Sequence, residues 1–327
     1  MPSPSPAGDT PQQPSAVWAP LDLAVVTATG PDAVRVVDNF ATAAVSALAI
    51  GQGPEAFFAD ARGHVLALAT VLRTATGLVI VAAPGFGPVL RDHLERYHLR
   101  ESLTLADASA DSATFLLTGA AAGEQLAELG CGDVPQADGA HAEDACGDIP
   151  MRIVRVTGRG GDGFWLQCDR GRADELTAAL TAANLPRAEA ADLEAARLEA
   201  GYPLPADIVE KTLPQELGRD ARAISFTKGC YLGQETVARL DAMGHVNRRL
   251  AVVAIDGNTR PDLPARVLMD DQPVGLLTSA AYSHRFGCMV GLAILQTRGL
   301  AAGALSVAAA PARIVSIPGH PELEGHA

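Results

Sequence analysis

Aromatic residues make up only 4% of this 327-residue chain, and cysteines number just five. Cys131, Cys146, Cys168, Cys230 and Cys288 are odd in number, widely spaced and never in a C-x-x-C pair, which excludes a disulfide framework and a thiolate zinc site and leaves reduced thiols. No run of Lys and Arg exceeds two residues, and the net charge is −13. The concentrated basic surface that neutralises duplex phosphates is therefore missing, and nucleic acid is not an expected partner, although a local basic pocket for a small anion stays compatible with the sequence. Also absent are any stretch of about 18 apolar residues and, in the opening "MPSPSPAGDTPQQPSAVWAP", the basic and apolar regions of a secretory signal. No membrane partner is expected, and the protein reads as cytoplasmic.

What is present is ordinary globular material. Hydrophobic residues reach 48% and charged ones 19%, enough to bury a core, and at about 150 residues per domain the length fits roughly two domains. The Pro/Ser/Gln-rich start cannot offset its own ordering entropy and is expected to form a disordered tail over 1–20. From Leu21, "LDLAVVTATG" reads as a strand, "PDAVRVVDNFA" as a helix, and residues 55–84 as three strands with turns at "ARG" and "TATG". An amphipathic helix from Phe86, two strands within 102–119 and a helix near 120–130 follow. Residues 131–148 are rich in Gly, Asp and Ala and read as a solvated loop. A hairpin over 151–168 and two helices ending near Gly201 complete this region.

Hairpin strands packed on segregated helices favour an α+β class over a doubly wound parallel sheet. After Gly244 only short β-like runs remain, as in a small barrel. The expected division is a tail at 1–20, an α+β region at 21–244 and a β-barrel at 245–327.

Two stretches carry chemistry. In "KGCYLGQE" (228–235), Gly233 should end a loop and "QETVARLDAM" should be helical. Cys230 then lies just before a helix N-terminus with Lys228 close by, two influences that favour a thiolate. The alternative is an ordinary buried cysteine. In "RLEAGYP" (197–203), Glu199 falls at a helix C-terminus, where the dipole disfavours a carboxylate. Such a group either is a plain surface glutamate or accepts paired hydrogen bonds from a ligand with adjacent N–H donors. Arg239, Arg248 and Arg249 could gather around an anionic ligand tail or pair with local acids. Other motifs fail: "TGRGGDG" (157–163) lacks the Lys-Ser/Thr of a phosphate loop and reads as a flexible hairpin tip, His93 and His98 lie on different helix faces, and no G-x-S-x-G elbow occurs.

Taken in order, "RLEAGYP", "LPQELG" (213–218) and "KGCYLGQETVAR" resemble the signature of the YgfZ-type folate-binding proteins, relatives of the glycine cleavage T-protein. The resemblance implies interleaved ferredoxin-like modules of T-protein type around a central channel, followed by a C-terminal barrel. It implies a protein that binds tetrahydrofolate or a one-carbon-substituted folate and supports iron–sulfur cluster assembly or repair, with iron–sulfur enzymes or assembly proteins as partners and no metal of its own. By the same resemblance Glu199 holds the pterin ring, whose adjacent N–H donors suit a carboxylate. Arg197, Tyr231, Gln234, Glu235 and Arg239 join it in binding the cofactor, and Cys230 with Lys228 forms the reactive pair. Where the T-protein carries an acidic pair, this chain reads "ARGHVLALATV", with Leu66, Ala67 and Leu68. Alanine and leucine cannot serve as general acid or base, so aminomethyl transfer is the alternative reading rather than the leading one. A non-catalytic folate-binding scaffold is the third.

Overall fold

Strand order and chain order part company at the first strand. In the computed structural model, which describes residues 15–97, 100–300 and 303–320, β1 (Val17–Leu21) and β2 (Ala24–Thr29) go to different sheets. β2 joins β3 (Glu55–Ala59), β4 (Val65–Thr74), β5 (Gly77–Ala82) and β6 (Thr104–Asp107) in the order β3-β4-β5-β2-β6. Helices α1 (Ala33–Asp38) and α2 (Phe86–Glu95) cover that sheet through a core that includes Val36, Val37, Phe58, Ile80, Leu90 and Leu94.

β1 instead pairs antiparallel with β7 (Ser112–Thr118), which leads to β8 (His141–Cys146), β9 (Ile149–Val156) and β10 (Gly163–Asp169) in the order β1-β7-β10-β9-β8. Helices α3 (Ala122–Glu128) and α4 (Ala173–Ala182) pack on it. Val25, Leu72, Val79 and Val81 of the first sheet meet Val154, Val156 and Trp165 of the second in a shared apolar layer. The modules are thus interleaved, as expected.

α5 (Ala190–Glu199), α6 (Asp220–Ala223) and α7 (Gln234–Met243) lead into a closed six-stranded barrel. Its strands are β11 (Arg248–Ile255), β12 (Ala265–Met269), β13 (Gln272–Ser283), β14 (Cys288–Gln296), β15 (Leu305–Val307) and β16 (Ala310–Ser316), in the order β11-β14-β13-β12-β15-β16. Closure leaves no open edge to attract another strand. The barrel docks on the first module through Phe57 and Leu68, on α5 through Leu198, and on the following segment through Leu217 and Ala223.

Two buried carboxylates fasten this apolar junction. Asp207 is wholly buried and accepts four hydrogen bonds: from Arg197 Nη1 (2.8 Å), Leu204 N (2.9 Å), Thr278 Oγ1 (2.6 Å) and Ser279 Oγ (2.5 Å). Glu55, at the start of β3, accepts from Arg219 Nε (2.5 Å) and Nη2 (2.6 Å) and from Arg159 Nε (2.8 Å). Burial alone would push the Glu55 carboxyl up, but Arg159, Arg219 and Arg222 outweigh it and hold the group below the usual carboxylate range.

Several expectations need correction. The tail expected over 1–20 gives way to β1 at Val17, since Trp18 is buried and its indole donates to Leu185 O at 3.0 Å; residues 1–14 lie outside the described residues. Within the supposed loop at 131–148, His141–Cys146 is a strand, registered so that Cys146 faces Ile149 across a tight turn at Gly147 and Asp148. A two-residue Gly-Asp connection is itself a hairpin signal, and the Gly/Asp/Ala composition masked it. The 157–163 tip is not a loose end either, because Arg159 turns inward, buried, onto Glu55 and over the Trp165 ring. α2 ends at Glu95, and His98 lies outside the described residues.

Removing either carboxylate strands a buried guanidinium, which costs about 3–5 kcal/mol. Asp207→Ala and Glu55→Ala should each lower the unfolding free energy, read from urea titrations, by that amount, against about 0.5 kcal/mol or less for exposed Asp192→Ala; a loss under about 1 kcal/mol at Asp207 would dismiss the junction role. Glu55 adds a pH signature. Its folded pKa is depressed, so its contribution is complete above the unfolded value of about 4.3 and is lost as pH falls through the folded value. Glu55→Gln should flatten that acid limb.

Candidate functional site

α5 stops at Glu199 because Gly201 takes a left-handed conformation (φ +66°). A β-carbon there would sit 2.5 Å from Pro318 Cγ, and one on Gly218 (φ +65°) would sit 1.9 Å from Pro318 O. The chain end after β16 therefore passes close against both turns, and glycine is required at each. This puts the Glu199 carboxylate, 17% exposed, at the meeting of α5 with the β13–β14 turn. Ser283 Oγ donates to its Oε1 at 2.5 Å, and Ser283 in turn accepts from Phe286 N at 3.1 Å. Among the described residues, its Oε2 has only the exposed Arg285 guanidinium at 3.9 Å. These partners offset the unfavourable helix end while leaving acceptor capacity on the carboxylate.

Glu199 lines two clefts. One, of about 750 Å³, runs past Thr118, Arg187, Asp192, His284 and Arg285. The other, of about 570 Å³, is walled by Arg219, Asp220, Arg222, Pro318 and His320. Arg197, two residues before Glu199, faces neither. It is buried and donates to Glu194 (2.8 and 2.6 Å), Tyr202 O (2.6 Å) and Asp207. Its guanidinium braces α5 against the barrel instead of offering donors to a ligand.

The cysteine loop is built elsewhere. Lys228 Nζ, only 3% exposed, donates toward Asp38 O (2.5 Å), Asp38 Oδ1 (3.0 Å), Ala41 O (2.8 Å) and Ala43 O (2.8 Å). Burial pulls the ammonium pKa down, with Asp38 opposing. Leu232 N donates to Asn39 O at 2.9 Å, and Ser225 N to Thr42 O at 2.9 Å. Lys228 is therefore a strut that pins the loop to the end of α1, and its charge is met by Asp38 and three carbonyls.

Tyr231 is buried with Lys228 over its ring, and burial pushes its hydroxyl up to about 12. Gly233 (φ +82°) caps α7, and a β-carbon there would lie 2.6 Å from Asp60 O. The β3–β4 turn thus packs directly on the start of α7. Cys230 is exposed, and the other four cysteines are buried. Gln234 is half-buried, while Glu235 and Arg239 are exposed on α7.

The structure joins Glu199 to the barrel turn and the Cys230 loop to α1 and the β3–β4 turn, and neither Glu199 cleft is walled by residues 228–239. Arg248 and Arg249 do not meet around an open anion site. Arg248 binds Glu216 (2.9 Å), and Arg249 contacts His320. On β4, Ala67 and Leu68 are buried, and Leu68 faces an apolar crevice with Phe86, Tyr202, Leu204 and Ile208.

Two family models divide the chain. The GCVT N-terminal domain matches residues 21–228, and the glycine cleavage T-protein C-terminal barrel domain matches 248–317. The chain belongs to the glycine cleavage T-protein family. Among its relatives in this family, an Arabidopsis thaliana chloroplast protein named as a candidate transferase is 23% identical over 78% of this chain and 59% of its own length. The tRNA-modifying protein YgfZ of Yersinia enterocolitica is 29% identical over 73% of this chain and 71% of its own. The solved aminomethyltransferase T of Bartonella henselae superposes with a TM-score of 0.81 over 93% of this chain and 86% of that one, at 19% identity, which establishes the T-protein fold. Cys230 falls in the short interval between the two matched T-protein domains.

Sequence reading missed Asp207, Glu55, Arg159 and Asp220. Glu55 had a visible signal, a charge opening a strand otherwise made of Ala and Phe.

Native protein treated briefly with iodoacetamide should carry the label at Cys230 before any of the other four cysteines, read by peptide mass spectrometry. Lys228→Met should release the loop and increase its proteolysis while leaving the pH profile of Cys230 alkylation in place. A profile displaced to higher pH by that variant would restore the lysine as a thiolate-stabilising group.

Proposed function

We propose that this chain is a tetrahydrofolate-binding protein of the YgfZ type, acting as an accessory factor in iron–sulfur cluster assembly or repair rather than as an aminomethyltransferase. The observation that carries the folate reading is the Glu199 carboxylate: fixed by Ser283 at a helix end, loosely partnered on Oε2, and fronting clefts large enough for a drug-sized ligand. A carboxylate so placed accepts the adjacent ring N–H and amino donors of a pterin. Against aminomethyl transfer stand Ala67 and Leu68, buried on β4 where the resemblance expects acids, which supply no group to move a proton. The iron–sulfur role follows from the family resemblance. The relatives named for tRNA modification fit an indirect role, because a net charge of −13 disfavours a direct encounter with tRNA phosphates. Cys230 is the exposed thiol through which the loop would meet a partner or a reactive group.

Calorimetry tests the anchor. Tetrahydrofolate affinity should fall about 10- to 150-fold in Glu199→Ala, the worth of hydrogen bonds to a charged group, and unchanged affinity would remove the pterin assignment. In cells lacking the chain, copies carrying Glu199→Ala or Cys230→Ala should fail to restore iron–sulfur enzyme activities. Full rescue by both would show that neither site carries the role.

A further inference from the structure

The smaller Glu199 cleft holds a second carboxyl with an unusual setting. Asp220 opens α6 directly after Arg219, which is tied to Glu55, and lines the cleft opposite the end of α5. Its Oδ1 is sealed from solvent with no hydrogen-bond partner among the described residues. An ionised carboxylate could not leave an oxygen in that condition without a large desolvation cost, whereas a neutral acid buries a carbonyl oxygen far more cheaply. The low-cost arrangement seats the carbonyl oxygen in the sealed position and turns the hydroxyl toward the cleft. Burial raises the Asp220 pKa, Arg249 on β11 and His320 beyond β16 oppose it, and Asp241 on α7 adds to it, for a net upward shift. Glu199, Arg219 and Arg222 complete the cleft's charged lining.

The cleft's two carboxyl groups thus differ in setting: Glu199 is held by Ser283 with an oxygen to spare, and Asp220 has one oxygen sealed and unpaired. We infer that this cleft selects a 2-amino-4-oxopyrimidine edge, with Glu199 accepting the adjacent N–H pair and the Asp220 hydroxyl donating to the 4-oxo oxygen. The inference rests on the folate reading above and adds to it which of the two clefts takes the ring and what tells one pteridine from another. A 2,4-diamino ring offers a donor where the 4-oxo ring offers an acceptor, so it meets the Asp220 hydroxyl donor to donor. A site built to hydrogen-bond a specific edge rejects the analogue that lacks it because the site's own group is then left unpaired.

The experiment compares tetrahydrofolate with its 4-amino analogue by calorimetry across pH, using wild type, Asp220→Ala, Asp220→Asn and Glu199→Ala. Wild type should prefer the 4-oxo ligand at least tenfold at low pH. That preference should fade as pH rises and Asp220 ionises, because the anion cannot donate. Asp220→Ala should weaken the preference and remove its pH dependence, leaving the part that Glu199 draws from the N3–H that the 2,4-diamino ring lacks. Asp220→Asn retains an N–H donor without a titrating proton, so it should keep 4-oxo binding and lose the pH dependence. The pH response should persist in His320→Gln, which separates it from the neighbouring imidazole. Thermal melts confirm that each variant is folded. If wild type binds tetrahydrofolate and Asp220→Ala keeps the full 4-oxo preference, the Asp220 assignment is overturned and the folate reading survives. If wild type binds neither ligand, both fall together.

Discussion

A fully buried aspartate, Asp207, is the interaction on which the arrangement of the site depends. It draws donors from three places that the chain must bring together: the end of α5 through Arg197, the turn after it through Leu204, and strand β13 through Thr278 and Ser279. A carboxylate deprived of water tolerates no missing partner, so the helix, the turn and the barrel strand have one mutually satisfactory placement. Glu199 stands at the end of that same helix, and Ser283, which holds it, is the last residue of that same strand. Two rigid elements locked at one point thus carry the acceptor and its support at another.

The protein's acidity looks different once its cations are located. Arg159, Arg197, Arg219 and Lys228 are all buried or nearly so, engaged with Glu55, Glu194, Asp207 and Asp38. Arginine suits the first three places because it stays ionised when desolvated, and at Arg197 and Arg219 its planar fork meets a carboxylate bidentately. Lysine suits the fourth, where a point charge meets several carbonyls converging at the end of a helix. Four of the chain's 25 basic side chains are thereby committed to internal carboxylates and carbonyls.

Much of this was legible in advance, for identifiable reasons. The β3–β5 hairpins were bounded by turn residues at "ARG" and "TATG", α7 was announced by Gly233 and closed by Gly244, and the barrel declared itself through short β runs without an intervening long helix. Glu199 was placed correctly at its helix end. What could not be read were partnerships across 71 to 164 residues of sequence, such as Asp207 with Thr278 and Glu55 with Arg219. Local pattern gives a lysine beside a cysteine, and only the fold shows that the lysine binds Asp38 and the carbonyls of Ala41 and Ala43. The missed strand β8 has the same origin, since a Gly/Asp/Ala run carries weak β preference and owes its conformation to pairing with β9.

The swap of β1 into the second sheet bears on how the chain acquires its shape. Val17 pairs with Thr118 and Trp18 with Leu117, so this strand waits for about a hundred residues of synthesis before its partner exists. Meanwhile β2 to β6 complete a sheet among themselves. Closing so long a loop raises contact order and slows formation of native pairing. During synthesis the Trp18 strand is therefore an unpaired apolar edge, the state in which a nascent chain is most exposed to aggregation and most in need of a chaperone.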